Sequence, residues 1–79
     1  MVAMSERLKQ ARRYRGLRQE DLARTATVGI ATIRRIEQKT MEPRLSTIQR
    51  IADALGIRVE WLLFGLGSTS DEHDQEGTS

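Results

Sequence analysis

The stretch QEDLARTATVGIATIRRIEQ, residues 19–38, decides the fold of this chain. Its apolar positions fall at helical spacings: Leu22, Ala26, Val28, Ile33 and Ile36. The first two are four residues apart and the last two are three apart, so each pair forms one inward-facing stripe of a helix. Val28 lies between the stripes, where it can fill the angle at which the two helices cross. The stretch therefore predicts two short helices joined by a tight turn.

The second of these helices keeps an outer face that the core does not need. That face holds Gly29, Ile30, Ala31, Thr32, Arg34, Arg35 and Gln38. An outer face with two arginines, directly after a tight turn, is typical of a helix-turn-helix whose second helix lies in the major groove of DNA.

Four segments extend the pattern along the chain: RLKQAR at 7–12, GLRQEDLA at 16–23, TIRRIE at 32–37 and IADALGIRVEWLLFG at 51–65. In order and spacing they resemble the Cro/CI-type (XRE) helix-turn-helix family, which includes the repressors and Cro proteins of lambdoid phages. The resemblance covers residues 4–65. It implies an all-α, five-helix, lambda-repressor-like domain that binds double-stranded DNA as a twofold homodimer and regulates transcription.

Composition limits the other classes of function. The 79 residues suffice for one small domain and contain no cysteine, so no disulfide or thiolate metal site is available. The only histidine, His73, lies in a polar segment, which argues against a metal centre, a cofactor or histidine-based catalysis. With no apolar run of membrane-spanning length and no signal peptide, the expected location is the cytoplasm.

Charge divides the chain into two parts. All thirteen Lys and Arg residues lie within residues 1–65 beside seven acids, a net charge of +6, whereas the last fourteen residues carry four acids and no Lys or Arg. A basic domain favours polyanionic partners. We expect a DNA-binding domain over 1–66 and a disordered acidic tail over 67–79.

The expected helices run from residue 4 or 5 to 15, from 18 or 19 onward, over about 29–38, from 45 or 46 to 55, and over about 59–64. Ser5 is a candidate N-cap for the first helix, although the helix could start nearer Val2, and Gly16 is suited to end it. Two positions depart from the family. Arg18 stands where the family usually has a capping Thr or Ser, and Thr27 stands where it often has a glycine with positive φ, which a β-branched residue resists.

Base contacts are expected from the start and middle of the third helix. Ile30 and Ala31 occupy positions that the family uses for bases, and their apolar groups suit thymine methyls. The alternative for Ile30 is packing on the protein. Arg34 and Arg35 both point outward, and the sequence leaves open which of them pairs with guanine and which contacts a phosphate.

Backbone contacts are expected at the ends of the helices. The resemblance implies that Gln19 holds a phosphate together with nearby backbone N–H groups, and that Lys39 and Arg44 clamp the DNA backbone. Gly29 and Thr32 are further backbone candidates. Arg44 could instead be solvated, and Thr32 could fill space against its own helix.

Other residues are expected to shape the protein itself. The resemblance implies a partly buried ion pair between Arg12 and Glu37 that positions the third helix. Trp61 and its neighbours could simply complete the core, but the resemblance implies that the fifth helix and the turn at 57–59 meet the twofold partner. We expect Leu62 in the core and Arg58, Val59 and Trp61 at the dimer interface.

Two alternatives to a repressor remain open from the sequence. An antitoxin or restriction–modification controller of the same fold could use the acidic tail as a contact for a toxin or other protein partner. A protein-interaction module without DNA binding is disfavoured by Arg34 and Arg35. An enzyme is least expected, because no nucleophile–base pair can be assembled from these residues.

Overall fold

The computed structural model describes residues 3–67, which form an all-α fold of five helices, as predicted. The helices are α1 Met4–Tyr14, α2 Gln19–Ala26, α3 Ile30–Glu37, α4 Leu45–Leu55 and α5 Val59–Phe64. α2 packs against both α3 and α4, while α1 contacts α3 and α5. The acidic tail expected over 67–79 lies outside the described residues except for Gly67.

The apolar stripes read from the sequence form the core. Leu22 and Ala26 of α2 and Ile33 and Ile36 of α3 are all buried, and Val28 packs on the cluster from the turn between them. The other helices complete the core with buried side chains, among them Leu8, Ile51, Leu55 and Leu62. Each buried Leu or Ile contributes about 1.5–3 kcal/mol. α3 is therefore held by its inner face alone.

The first four helices each end beside a residue in the left-handed conformation: Gly16, Thr27, Lys39 and Gly56. At each end the N–H of this residue and the next N–H bond back to carbonyls of the last helical turn. Thr27 has a φ of 58° and Lys39 a φ of 63°. A side chain in this conformation costs about 1–2 kcal/mol relative to glycine. Both strained positions flank α3.

The helix starts differ from one expectation. Ser5 is not the N-cap of α1; Ala3 occupies that position with extended backbone, and Ser5 lies buried in the first turn. Ser5 Oγ has no hydrogen-bond partner among the described residues. The helix starts earlier than a Ser5 cap requires because Met4 packs on the core.

Arg18 stands at the N-cap of α2, where its side chain cannot accept a hydrogen bond. Asp21 compensates, because its Oδ2 accepts from the Arg18 backbone N–H at 2.9 Å. Hydrogen bonds from the Arg18 side chain and then its backbone lower the pKa of Asp21 to about 2. The acid in the first turn thus satisfies a backbone donor as well as meeting the helix dipole.

Two arginines without an expected role, Arg7 of α1 and Arg15 just after α1, cap other helices. Arg15 Nη1 donates to the Leu55 carbonyl at the end of α4 at 2.7 Å. Arg7 is buried and donates from Nε to the Leu62 carbonyl at 2.9 Å and from Nη2 to the Leu63 carbonyl at 2.7 Å. Cations at helix C-termini satisfy orphan carbonyls and oppose the helix dipole.

Replacing Thr27 by glycine should stabilise the protein. Glycine adopts a φ of 58° without the steric cost, although it adds some freedom to the unfolded chain. A net gain of about 1 kcal/mol corresponds to a rise of about 4–8 °C in melting temperature. The matched control is Gly16→Ala, where a Cβ would meet nothing within 4 Å, so only the backbone conformation is penalised. Calorimetry should show opposite shifts; a lower melting temperature for Thr27→Gly would contradict the assigned strain.

Candidate nucleic-acid interface

α3 presents an accessible outer side because its inner side is fixed in the core. Ile33 and Ile36 are at most 2% exposed, while Ala31, Arg34 and Arg35 are exposed. Arg34 and Arg35 follow Ala31 by three and four residues, so the three side chains lie on one side of the helix. The structure therefore brings together three of the four residues that the sequence assigned to base contacts.

Ile30 differs from the other three. It is half-buried and packs against the core cluster. Most of the Ile30 side chain therefore packs on the protein, which is the alternative that the sequence left open. Only its exposed part can contact a ligand. Thr32, one of the backbone candidates, is also half-buried.

The first turn of α3 offers backbone donors. Gly29 is its N-cap, exposed and extended, and provides no side-chain hydrogen bond to the turn. The backbone N–H groups at the start of α3, which have no acceptor within the helix, therefore receive no side-chain cap from Gly29. Such donors, together with the positive end of the helix dipole, suit an anion.

The exposed cations of this region are not committed to the protein. Arg34, Arg35, Lys39 and Arg44 make no ion pair or side-chain hydrogen bond with any residue between 3 and 67. Arg7, Arg12 and Arg15 differ from this set, because their side chains bind helix ends or Glu37. Four unpaired positive charges thus lie on α3 and in the loop after it, beside Glu42; Arg13 of α1 and Arg50 of α4 also have no ion pair in this part of the chain. Such a surface attracts a polyanion.

A buried carboxylate joins three helices behind this surface. Glu37 of α3 accepts hydrogen bonds from Arg12 of α1, Nε to Oε2 at 2.7 Å and Nη2 to Oε1 at 3.0 Å. Gln19, the first residue of α2, donates from Nε2 to Glu37 Oε1 at 3.0 Å. Arg12 Nη1 also donates to the Leu17 carbonyl at 2.9 Å. Both charges of the Arg12–Glu37 ion pair are thus almost fully buried, and the hydrogen-bond network reaches the start of α2 through Gln19.

This network also fixes Gln19. One amide N–H of Gln19 is committed to Glu37, so the side chain is held at the start of α2 and remains half-exposed. The sequence assigned Gln19 to a phosphate and Glu37 to Arg12. The hydrogen bond that links these two assignments had no sequence signal, because the residues are eighteen positions apart.

Glu37 keeps its charge despite burial. Burial alone would raise its pKa, but the hydrogen bonds from Arg12 and Gln19 and the charge of Arg12 hold the pKa below its ordinary value. Because the folded-state pKa is lowered, the stabilisation is complete above the ordinary value of 4.5 and is lost as the pH falls through the folded-state pKa.

The residues expected at a dimer interface lie around α5. Arg58, Val59 and Trp61 are all half-buried, and Val59 and Trp61 pack on the core with one side. Leu62, expected in the core, is 1% exposed. α5 thus divides between a core side and an accessible side.

The geometry defines a class of protein. It is a small helical domain in which α2 and α3 form a helix-turn-helix, and the second of these helices, α3, is exposed and cationic on its outer side. A helix-turn-helix family model matches residues 8–62. The chain therefore belongs to the helix-turn-helix family of DNA-binding transcriptional regulators, of the Cro/CI (XRE) type, whose members are not enzymes. No helix within residues 3–67 has the length and apolar character needed to cross a bilayer.

Particular relatives support this assignment. The chain is 35% identical over 71 residues to the HTH-type transcriptional regulator DdrOP3 of Deinococcus deserti. The match covers 90% of this chain and 55% of DdrOP3, so the chain spans about half the length of that relative.

Solved structures show the same fold. The P22 c2 repressor in complex with a synthetic operator superposes with a TM-score of 0.78 and 26% identity, covering 84% of this chain and all of the repressor chain. A hypothetical transcription factor from Neisseria gives 0.74 and 25%, covering 92% and 78% of the two chains. The SinR–SinI complex gives 0.75 at 22% identity, covering 95% and 75%, which concerns the fold alone.

Removing the Glu37 charge should destabilise the domain in a pH-dependent way. Glu37→Gln leaves Arg12 buried without a counterion, so the free energy of unfolding should fall by about 3 kcal/mol at pH 7. The difference from wild type should shrink as the pH falls below the ordinary value of 4.5, because Glu37 is then protonated first in the unfolded chain and, at lower pH, in the folded protein as well. Urea unfolding across pH measures both effects. Asp53→Asn is the control, since Asp53 is exposed and has no ion pair within residues 3–67; a constant difference for Glu37→Gln at every pH would contradict the assignment.

Proposed function

We propose that this protein is a repressor that binds a roughly palindromic operator as a dimer, with α3 in the major groove. The carrying observation is the set of unpaired cations on α3 and the following loop, on a fold shared with the P22 c2 repressor in its operator complex. Two copies related by a twofold axis would place their α3 helices in successive major grooves, about 34 Å apart.

We assign base reading to the accessible side of α3. A guanidinium can donate two hydrogen bonds to guanine O6 and N7, and Arg34 and Arg35 are both free to do so. Ala31 is exposed and suits a thymine methyl. Only the part of the Ile30 side chain that the core does not cover would contact a base, so its contact area is smaller than the size of the residue suggests.

We assign backbone contacts to the start of α2, the start of α3 and the loop after α3. Gln19, held by Glu37, and the uncapped N–H groups beside Gly29 would each hold a phosphate. Lys39 and Arg44 would clamp the strand past the end of α3. Thr32, being half-buried, contributes through its hydroxyl only at the edge of this surface.

A selection of bound sequences from a random DNA pool, followed by footprinting, tests the proposal. The selected sites should be twofold symmetric and the footprint should cover two half-sites. Selection of a single asymmetric half-site at saturating protein would contradict the dimeric mode. Failure to enrich any sequence, with binding that depends only on salt, would contradict sequence-specific recognition.

Arg35→Ala should reduce specific binding by about 1–3 kcal/mol per half-site and relax the preference at one operator position. Arg35→Lys is the matched variant, because lysine keeps the charge but lacks the planar pair of donors. It should retain affinity for random DNA while losing specificity. Fluorescence anisotropy with operator and random duplexes measures this. An equal reduction on both duplexes for Arg35→Ala would make Arg35 a phosphate contact and pass base reading to Arg34.

Lys39→Gly should separate affinity from stability. Lys39 has a φ of 63°, so glycine relieves strain and should raise the melting temperature. The same change removes a charge that would neutralise one phosphate in each half-site. Binding should therefore weaken about equally on all sequences, and the salt slope should fall by about one for each phosphate no longer neutralised. Unchanged affinity and salt slope in this more stable variant would exclude Lys39 from the interface.

A further inference from the structure

A cluster of paired charges lies at the start of α2, next to Gln19. Arg18 precedes the helix, and its Nε and Nη2 donate to Oδ2 and Oδ1 of Asp21 at 3.2 and 3.4 Å. Arg24 Nη2 donates to Oδ1 of the same carboxylate at 2.9 Å, and Glu20 Oε2 lies 3.8 Å from Arg18 Nη1. Two arginines and two acids give the cluster no net charge. It therefore adds nothing to the positive field of the domain while these pairs hold.

The Arg18 side chain can leave Asp21 at little cost. It is 72% exposed, and hydrogen bonds between charged groups are usually about 2.7–2.9 Å long, shorter than the two that it donates to Asp21. Exposed ion pairs of this kind contribute little to stability, because water solvates both charges and salt screens them. Arg18 is thus the cation of this cluster that a competing anion can draw away.

Asp21 keeps its other partners when the Arg18 side chain moves. Its Oδ2 accepts from the backbone N–H of Arg18 at 2.9 Å, a bond that does not involve the guanidinium. Its Oδ1 accepts from Arg24, also at 2.9 Å. The Asp21 side chain is only 20% exposed, and these two shorter bonds hold it at the start of α2. A rotation of the Arg18 side chain would therefore leave the cap of α2 intact.

The position of Arg18 brings its charge close to the surface assigned to DNA. The next residue, Gln19, is half-exposed and is the one that we propose to hold a phosphate. A guanidinium can donate two parallel hydrogen bonds to a phosphate. The family usually has a neutral Thr or Ser at position 18, so this charge is not part of the usual set of contacts.

We propose that Arg18 is a further contact to the DNA backbone, and that on binding it exchanges the Asp21 carboxylate for the phosphate beside Gln19. Asp21 then limits the affinity, because binding has to separate Arg18 from Asp21 and bring that carboxylate near a phosphate. A backbone contact changes the affinity for all sequences and leaves the choice of bases to α3. This inference rests on the proposed DNA binding and names a contact within it.

A double-mutant cycle tests the exchange. Arg18→Gln removes the charge but keeps the backbone N–H that Asp21 accepts. It should weaken binding to operator and random duplexes alike and lower the salt slope by about one for each phosphate no longer neutralised. Asp21→Asn keeps an oxygen for the same N–H and should tighten binding to both duplexes by about threefold or more at low salt.

The double variant carries the decisive comparison. In the Arg18→Gln background, Asp21→Asn should tighten binding much less than it does in the wild type, because no cation is left to be released. Fluorescence anisotropy of the full chain over a series of salt concentrations measures all four affinities. Equal tightening in both backgrounds would make Asp21 a source of simple repulsion, and the exchange would be wrong.

Glu20→Gln is the matched control. It removes the same charge from the residue next to Asp21, but Glu20 lies 3.8 Å from Arg18, beyond hydrogen-bond distance. Its effect should therefore depend much less on Arg18. Circular dichroism should show the wild-type helix content for each variant. Arg18→Gln breaks no bond of the α2 cap, so unchanged affinity and salt slope in this variant exclude Arg18 from the interface whatever Asp21→Asn does to folding.

The two duplexes separate this inference from the proposed function. If the operator is preferred over random DNA while Arg18→Gln changes neither affinity, the proposed function stands and the Arg18 contact is wrong. If the selection enriches no sequence while the cycle behaves as expected on random DNA, the contact stands and sequence-specific recognition is wrong.

Discussion

The buried carboxylate of Glu37 is the constraint on which the functional arrangement depends. It is the last residue of α3, and it accepts hydrogen bonds from Arg12 of α1 and Gln19 of α2. A buried charge with one partner removed is strongly unfavourable, so the three helices are held to one geometry around it. The network involves only the inner side of α3, so the outer side is not needed to hold the fold together. It also orients Gln19, the residue at the positive end of the α2 dipole.

Arginine serves two unrelated purposes in this small domain. Arg7 of α1 and Arg15, the residue after α1, reach carbonyls at the ends of α5 and α4, where they replace hydrogen bonds that the helices cannot make internally. Arg34 and Arg35 make no such contacts within residues 3–67. Net charge alone therefore overstates the positive field available to a ligand, because part of it is used inside the fold. Of the cations that have no ion pair within residues 3–67, four lie on α3 and in the loop after it, and Arg13 and Arg50 lie on α1 and α4.

Strained backbone lies on both sides of α3. Thr27 before α3 and Lys39 after it adopt the left-handed conformation that glycine adopts at the ends of α1 and α4. Each side chain costs stability, and each lies beside the surface assigned to DNA. For Lys39 the assigned phosphate contact gives a reason to retain a charged side chain there. The Thr27 side chain makes no hydrogen bond within residues 3–67 that would offset this cost.

The sequence by itself determined the helices, the core stripes and the outward position of Ala31, Arg34 and Arg35. These follow from periodicity, which is a local property of the chain. Resemblance, not periodicity, indicated the pairing of Arg12 with Glu37. Only the tertiary structure decided that Ser5 is no cap, that Ile30 packs on the core, and that Arg7 and Arg15 bind distant helix ends. The two arginine contacts join groups forty or more positions apart in sequence, and local patterns carry no information about such encounters.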